Sequence, residues 1–223
     1  MAKKSFKINP LQKPQISKVI KLLKPAPAKD RSAFASLKSR KTTRFIGDKK
    51  LALQELSNIL WAACGVNRVK GPFGDPGLTA ASASNSREVD VYAFLEEGIY
   101  IYEAAARRLV LEAEGDFRAI AIGKGQLSSG SSAPLRLVYI ADIDKFSQAG
   151  FQEPGLHDRE IQKAYYYVDT GIIAGNVYLY AASQGLAAWF HNCDRIGIAS
   201  KLNLRPGQRV LFGQTIGYPE KGK

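Results

Sequence analysis

From Asp158 to Gln184 the chain carries its longest helical pattern, with Ala, Val, Ile, Leu and Tyr around most of the circumference. Gly185 follows at once and supplies a stop. A helix that is apolar nearly all round cannot sit on a solvated surface. It must be buried in a large core or lie against a second subunit. The chain around it therefore has to supply extended, apolar partners.

Those partners are visible in the hydrophobic periodicity. Val89 to Leu95 alternates at a period of two, Glu96–Glu97–Gly98 makes a turn, and Ile99 to Glu103 and Arg108 to Glu112 continue an antiparallel meander. Leu135 to Ala141 is a mostly apolar run of the kind that is buried on both faces. Leu186 to His191 and Arg209 to Gly217 read as further strands, with a short helix near Arg195 to Leu202 between them. On the N-terminal side, Leu53, Leu56, Leu60 and Ala63 fall at helical spacing within Leu51 to Ala63. Asp30 or Ser32 can cap a shorter helix through Ser39. Helices, strands, a helix and strands in that order give an α+β sandwich, with a mixed or antiparallel sheet covered by helices. Asn67 to Thr79, rich in Gly and Pro, reads as a long loop, which favours a functional rim.

Charge divides the chain unevenly. Residues 1–50 hold 15 Lys/Arg against 2 Asp/Glu, whereas residues 51–223 hold 17 against 18. Residues 1–30 read as a basic N-terminal extension and 31–223 as the body. Such an extension suits nucleic acid, an acidic membrane or plain solubility. It lacks the interleaved aromatics or recognition helix of nucleic-acid binding, so nucleic acid is not expected as a partner. No apolar run reaches the length of a membrane span and no secretory signal is recognisable, which points to a cytoplasmic protein with no membrane partner. Two cysteines, Cys64 and Cys193, build no disulfide framework. With only His157 and His191, and no metal-binding spacing, no metal site is expected.

Three constellations could carry chemistry. In Ser39–Arg40–Lys41–Thr42–Thr43–Arg44, two arginines four apart with hydroxyls between them can surround a dianion such as phosphate. In Thr79 to Asn85 a run of small residues precedes Asn85. Small side chains let backbone N–H groups approach a flat ligand, and Asn both donates and accepts. Gly185 to Cys193 leaves the long helix, forms a strand and ends in polar residues. Its His191 and Cys193 share a strand face, but no third group orients them as a nucleophile pair. Other signals fail: Gly123–Lys124–Gly125 does not continue as a dinucleotide fingerprint, and no phosphate-loop lysine motif or GxSxG occurs.

Taken in order, these segments resemble the nitroreductase superfamily, and within it the SagB-type oxidoreductases. The resemblance runs through Arg40–Lys41–Thr42–Thr43–Arg44, Ile59 to Gly65, Val66–Asn67–Arg68, Thr79 to Asn85, Gly98 to Tyr102, Asp169–Thr170–Gly171 to Gly185–Leu186, and Gly217–Tyr218–Pro219. It implies a nitroreductase-like α/β sandwich, a homodimer with FMN at the subunit interface, and hydride transfer from NAD(P)H through the flavin to a small-molecule acceptor such as a nitroaromatic or quinone. No side chain need act as a nucleophile. By the same resemblance, Arg40, Lys41 and Thr42 lie on the phosphate side. Arg44 reaches the pyrimidine side of the flavin, where it would stabilise the negative charge of the reduced ring. Ser82, Ala83, Ser84 and Asn85 line the ring. Asn192 and Cys193 offer backbone N–H groups near the reactive nitrogen, and Lys221 is a C-terminal phosphate cation. Thr42 stands where serine is usual and Ala81 where proline is common. Two alternatives share the resemblance: an azoline oxidase of peptide maturation, and a flavin-storage protein with no acceptor of its own.

Overall fold

A computed structural model describes residues 18–27, 32–71, 74–129 and 133–220. Its centre is a seven-stranded sheet in the order β1-β6-β5-β4-β7-β9-β8, with every pair antiparallel. The strands are β1 (Val19–Lys21), β4 (Val89–Phe94), β5 (Gly98–Glu103), β6 (Arg108–Glu114), β7 (Leu135–Asp142), β8 (Ala187–His191) and β9 (Gln208–Gly217). A separate hairpin joins β2 (Val66–Arg68) to β3 (Gly77–Leu78). The sheet is thus antiparallel, and helices cover it.

The alternation read from the sequence decides which face each side chain enters. Leu135, Leu137, Tyr139 and Ala141 of β7 pack with Val89, Val91 and Ala93 of β4 beneath α2 (Leu53–Cys64) and α3 (Arg159–Gln184). Val138 and Ile140 turn the other way, to Tyr92, Phe94 and Ile198 of α4 (Arg195–Lys201). All eight residues of β7 are buried, as expected for a strand covered on both faces.

Helix α3 is fixed at both ends. Asp158 Oδ1 accepts from the N–H groups of Glu160 and Ile161 at 2.8 and 3.1 Å. Gly185 closes the C-terminus in the left-handed region, φ 77°, where a side chain would be strained. One side of α3, through Tyr166, Ile173, Ala174, Val177 and Ala181, enters the core. The opposite side leaves Ile161, Tyr167, Val168 and Ile172 exposed in the single chain. Of the two settings open to this helix, a core alone does not cover it.

Two features differ from the sequence reading. Asn67 to Thr79 is not wholly a loop, because its two ends pair as β2 and β3. The described end of the basic extension is also built into the body: β1 pairs with β6, and Ala26 exchanges two hydrogen bonds with the Asn58 side chain of α2, at 2.9 and 3.0 Å. Ser32 caps α1 (Ala33–Ser39) by accepting from Ala35 N–H. No helix among the described residues is long and apolar enough to cross a membrane.

Candidate active site

The basic cluster leaves α1 in extended form and runs along β8, the edge strand of the sheet; Thr43 N–H donates to the Ala188 carbonyl at 3.0 Å. This crossing separates the two arginines. The Arg40 guanidinium lies 5.4 Å from the ring centre of Tyr178 on α3, and that of Arg44 lies 5.6 Å from the ring centre of Trp189 on β8. Stacking on rings holds a guanidinium while leaving its N–H fork available. Thr42 Oγ1 is 3.1 Å from Tyr178 Oη, which also accepts the N–H of Phe190 at 2.8 Å. Among the described residues none of Arg40, Lys41 and Arg44 has a carboxylate within ion-pair distance. A cleft of about 760 Å³, its open mouth included, lies beside them. Ser39, Lys41, Thr43, Tyr178 and the Gly185–Ala188 turn line it, and Pro219 closes one side. Lys41 and Thr43 face this cleft, while Arg40, Thr42 and Arg44 alternate to the side of the Tyr178 and Trp189 rings. Cations without carboxylate partners and hydroxyls, beside a cleft and aromatic rings, make a donor set that fits a phosphorylated aromatic ligand.

The second constellation lies further along α3. Ala83 N–H donates to Asp169 Oδ2 at 2.9 Å, and Asn176 Nδ2 donates to the Thr79 carbonyl at 3.1 Å. Asp169 and Tyr178 are nine residues apart, roughly 13 Å along the helix axis. Ala83 is therefore fixed to the same helix that carries Tyr178, and no hydrogen bond among the described residues joins Ser82, Ala83, Ser84 or Asn85 to the cation cluster. Ser84, Asn85 and Arg87 adopt φ of 49°, 60° and 52°. Positive φ in non-glycine residues is sparse and persists only where the surroundings over-determine it. Here Ser82 Oγ accepts Arg87 N–H at 3.0 Å, and the Arg87 side chain donates to the Pro76 carbonyl at 2.6 Å and to Asn85 Oδ1 at 3.3 Å. Behind the loop a second cleft, of about 830 Å³ with its open mouth, is lined by Leu78, Ala80, Ser82, Val91, Glu88 and Asp169, among others.

The third constellation follows β8. Asn192 is exposed, and its carbonyl accepts Gly123 N–H at 2.8 Å. Cys193 packs on the α4 side of the sheet, and burial pushes its thiol up to about 11. His191 is buried and bonded through Nε2 to Thr215 Oγ1 (2.7 Å) and through Nδ1 to the Asn192 carbonyl (2.8 Å). Burial lowers its pKa to about 4. The two side chains form no hydrogen bond to each other, and a thiol raised this far is a poor nucleophile. Lys221 lies outside the described residues.

The cation cluster was legible because its charge is local. Tyr178, Trp189, Asn176, Asp169 and Glu88, which build the surroundings, were not marked as site residues by sequence. The one signal that could have found them is polar or ring atoms set in otherwise apolar segments, such as Asp169 and Asn176 in α3 and Glu88 just before β4.

Comparison with known proteins identifies the family. The nitroreductase family model matches residues 37–218. A candidate nitroreductase from Ralstonia eutropha JMP134 is 30% identical with a TM-score of 0.76, over 91% of this chain and 90% of that one. Nitroreductase A from Vibrio parahaemolyticus superposes with a TM-score of 0.60 at 19% identity, over 86% of this chain and 70% of that one. A candidate nitroreductase from Anabaena variabilis reaches a TM-score of 0.67 at 18% identity; the match covers 92% of this chain and 42% of that longer one. No curated protein matches the chain. With its fold, its edge-strand cation cluster and a family match over most of its length, the chain belongs to the nitroreductase family of oxidoreductases.

Proposed function

We propose that the protein is an FMN-dependent oxidoreductase of the SagB-like branch that works as a homodimer, taking electrons from NAD(P)H and delivering them to a small-molecule acceptor. The observation that carries this reading is the set Arg40, Lys41 and Arg44: three cations free of carboxylate partners among the described residues, two of them stacked on rings, beside a cleft edged by Thr43 and Tyr178. When bound, FMN supplies the two-electron chemistry. The chain's own residues bind and orient it. Arg40 and Lys41, with the Thr42 hydroxyl, neutralise and hydrogen-bond its phosphate. Arg44, held over Trp189, puts a positive charge beside the ring and favours the electron-rich form. Ser82 to Asn85 line the flat group with small side chains and backbone, and Asn192 and Cys193 serve as backbone donors.

Two features favour a dimer. Ile161, Tyr167, Val168 and Ile172 of α3 and Phe34 and Leu37 of α1 are exposed in the single chain. In addition, the cation cluster and the ring-lining loop are separated along α3, so that one cofactor is best enclosed by the cluster of one subunit and the loop of the other.

The test is to purify the protein, add FMN and record the visible spectrum, then reduce it anaerobically with NADH or NADPH and offer nitroaromatics, quinones and azoline peptides. Bound pigment that NAD(P)H bleaches and an acceptor restores is the expected result. Failure to bind FMN overturns the reading, and oxidation of azolines without NAD(P)H consumption replaces it with the oxidase direction.

A further inference from the structure

Under the loop Ser82–Arg87 two buried carboxyl groups meet. Glu88 is fully buried and Asp169 is nearly so. Ser86 Oγ donates to Glu88 Oε2 at 2.7 Å, and Ala83 N–H donates to Asp169 Oδ2 at 2.9 Å. Glu88 Oε1 has no N–H or O–H donor among the described residues, and both carboxyl groups line the same cleft behind the loop. Two carboxylates are both acceptors, so their contact is favourable only if one of them carries a proton.

Among the described residues no cation relieves them. From the 3₁₀ turn after β7, Lys145 Nζ is engaged by Asp90 of β4 at 2.6 Å. From the loop itself, Arg87 turns its guanidinium to the Pro76 carbonyl and towards Asp75. The remaining titratable groups near the cleft are Cys64 at the end of α2, Tyr102 of β5 and Tyr166 of α3. Burial raises all three, the Cys64 thiol to about 12, so they stay neutral.

We propose that Glu88 is a positioning residue for the loop Ser82–Asn85, acting through a single proton that it shares with Asp169. This rests on the reading of that loop as cofactor-lining. The shared proton fastens Asp169, Asp169 fastens Ala83 N–H, and the loop keeps its three positive-φ residues. Burial is the main cause that pushes the Glu88 carboxyl up to about 7, with the Ser86 hydroxyl opposing it. The folded group thus holds its proton more tightly than an exposed one, whose ordinary value is 4.5. The clamp is at full strength below that ordinary value and is lost as the pH rises through about 7.

The experiment compares amide hydrogen exchange of residues 82–87 in the full-length protein and in Glu88→Gln, at about pH 6 and about pH 8.5, with both proteins measured at each pH so that intrinsic exchange cancels. The carboxamide introduced by Glu88→Gln donates to Asp169 at every pH. Equal exchange near pH 6 and roughly tenfold faster loop exchange in the unsubstituted protein near pH 8.5 are expected. Equal exchange at both pH values overturns the proposal. Asp169→Asn, whose amide donates to an ionised Glu88, repeats the test with the donor on the other side. An FMN titration under the same conditions separates this inference from the cofactor reading. Weakened FMN binding at high pH only in the unsubstituted protein supports both. An exchange difference with no FMN binding at any pH overturns the cofactor reading and leaves the proton clamp standing.

Discussion

Tyr178 Oη touches Thr42 Oγ1 and the N–H of Phe190, and its ring lies under Arg40. One hydroxyl thus ties the cation cluster to α3 and β8 together. Tyr178→Phe keeps the ring and removes those hydrogen bonds. Their removal costs about 1–1.5 kcal/mol, and FMN binding is expected to weaken roughly tenfold in an equilibrium titration. His191 makes a different prediction. It is buried and neutral, with a pKa lowered to about 4 from the ordinary 6.5. Its contribution is therefore fully present above pH 6.5 and is lost as the pH falls towards 4. Stability measured by urea unfolding should drop by up to about 3 kcal/mol over that window, and His191→Gln should flatten the drop. At this scale the sequence made the clustered charges Arg40, Lys41 and Arg44 legible, because charge density needs no fold. It did not reveal Glu88 with Asp169, or Thr42 with Tyr178, because those partners are far apart in sequence and only the packing of α3 brings them together.

At the scale of elements, hydrophobic period and caps carry most of the information. The mostly apolar β7, the alternating β4 and the long α3 with Asp158 and Gly185 at its ends follow from local physics. Asp158→Ala and Gly185→Ala, at opposite ends of α3 and with no shared partner, are each expected to lower stability by about 1 kcal/mol, additively, in chemical denaturation. What local physics misses is pairing at edges. β1 is three residues long and exists because Val19 to Lys21 find Arg108 to Val110 on the outer strand of the meander. The β2–β3 hairpin is hidden by Gly71, Pro72, Gly74 and Pro76 between its arms, a composition that reads as loop whether or not the ends pair.

For the whole molecule, the proposed arrangement is two chains enclosing shared sites, and the exposed apolar side of α3 is the surface it would bury. Static light scattering should give twice the chain mass. Val168→Glu with Ile172→Glu should give a folded monomer with most of its FMN affinity gone, since a buried unpaired charge in an interface costs several kcal/mol. A monomer of undiminished affinity would place the cofactor within a single chain.

In the proposed function Arg40 and Arg44, cations at the sheet edge, hold an anionic flavin. The most direct test is the dissociation constant of FMN for the protein and for Arg40→Ala/Arg44→Ala, by flavin fluorescence quenching in low salt and in high salt. Each charge-assisted hydrogen bond removed is worth roughly 1.5–3 kcal/mol. Binding is therefore expected to weaken at least about a hundredfold in the double variant, with most of its salt dependence gone. Equal affinity for the two proteins would contradict it.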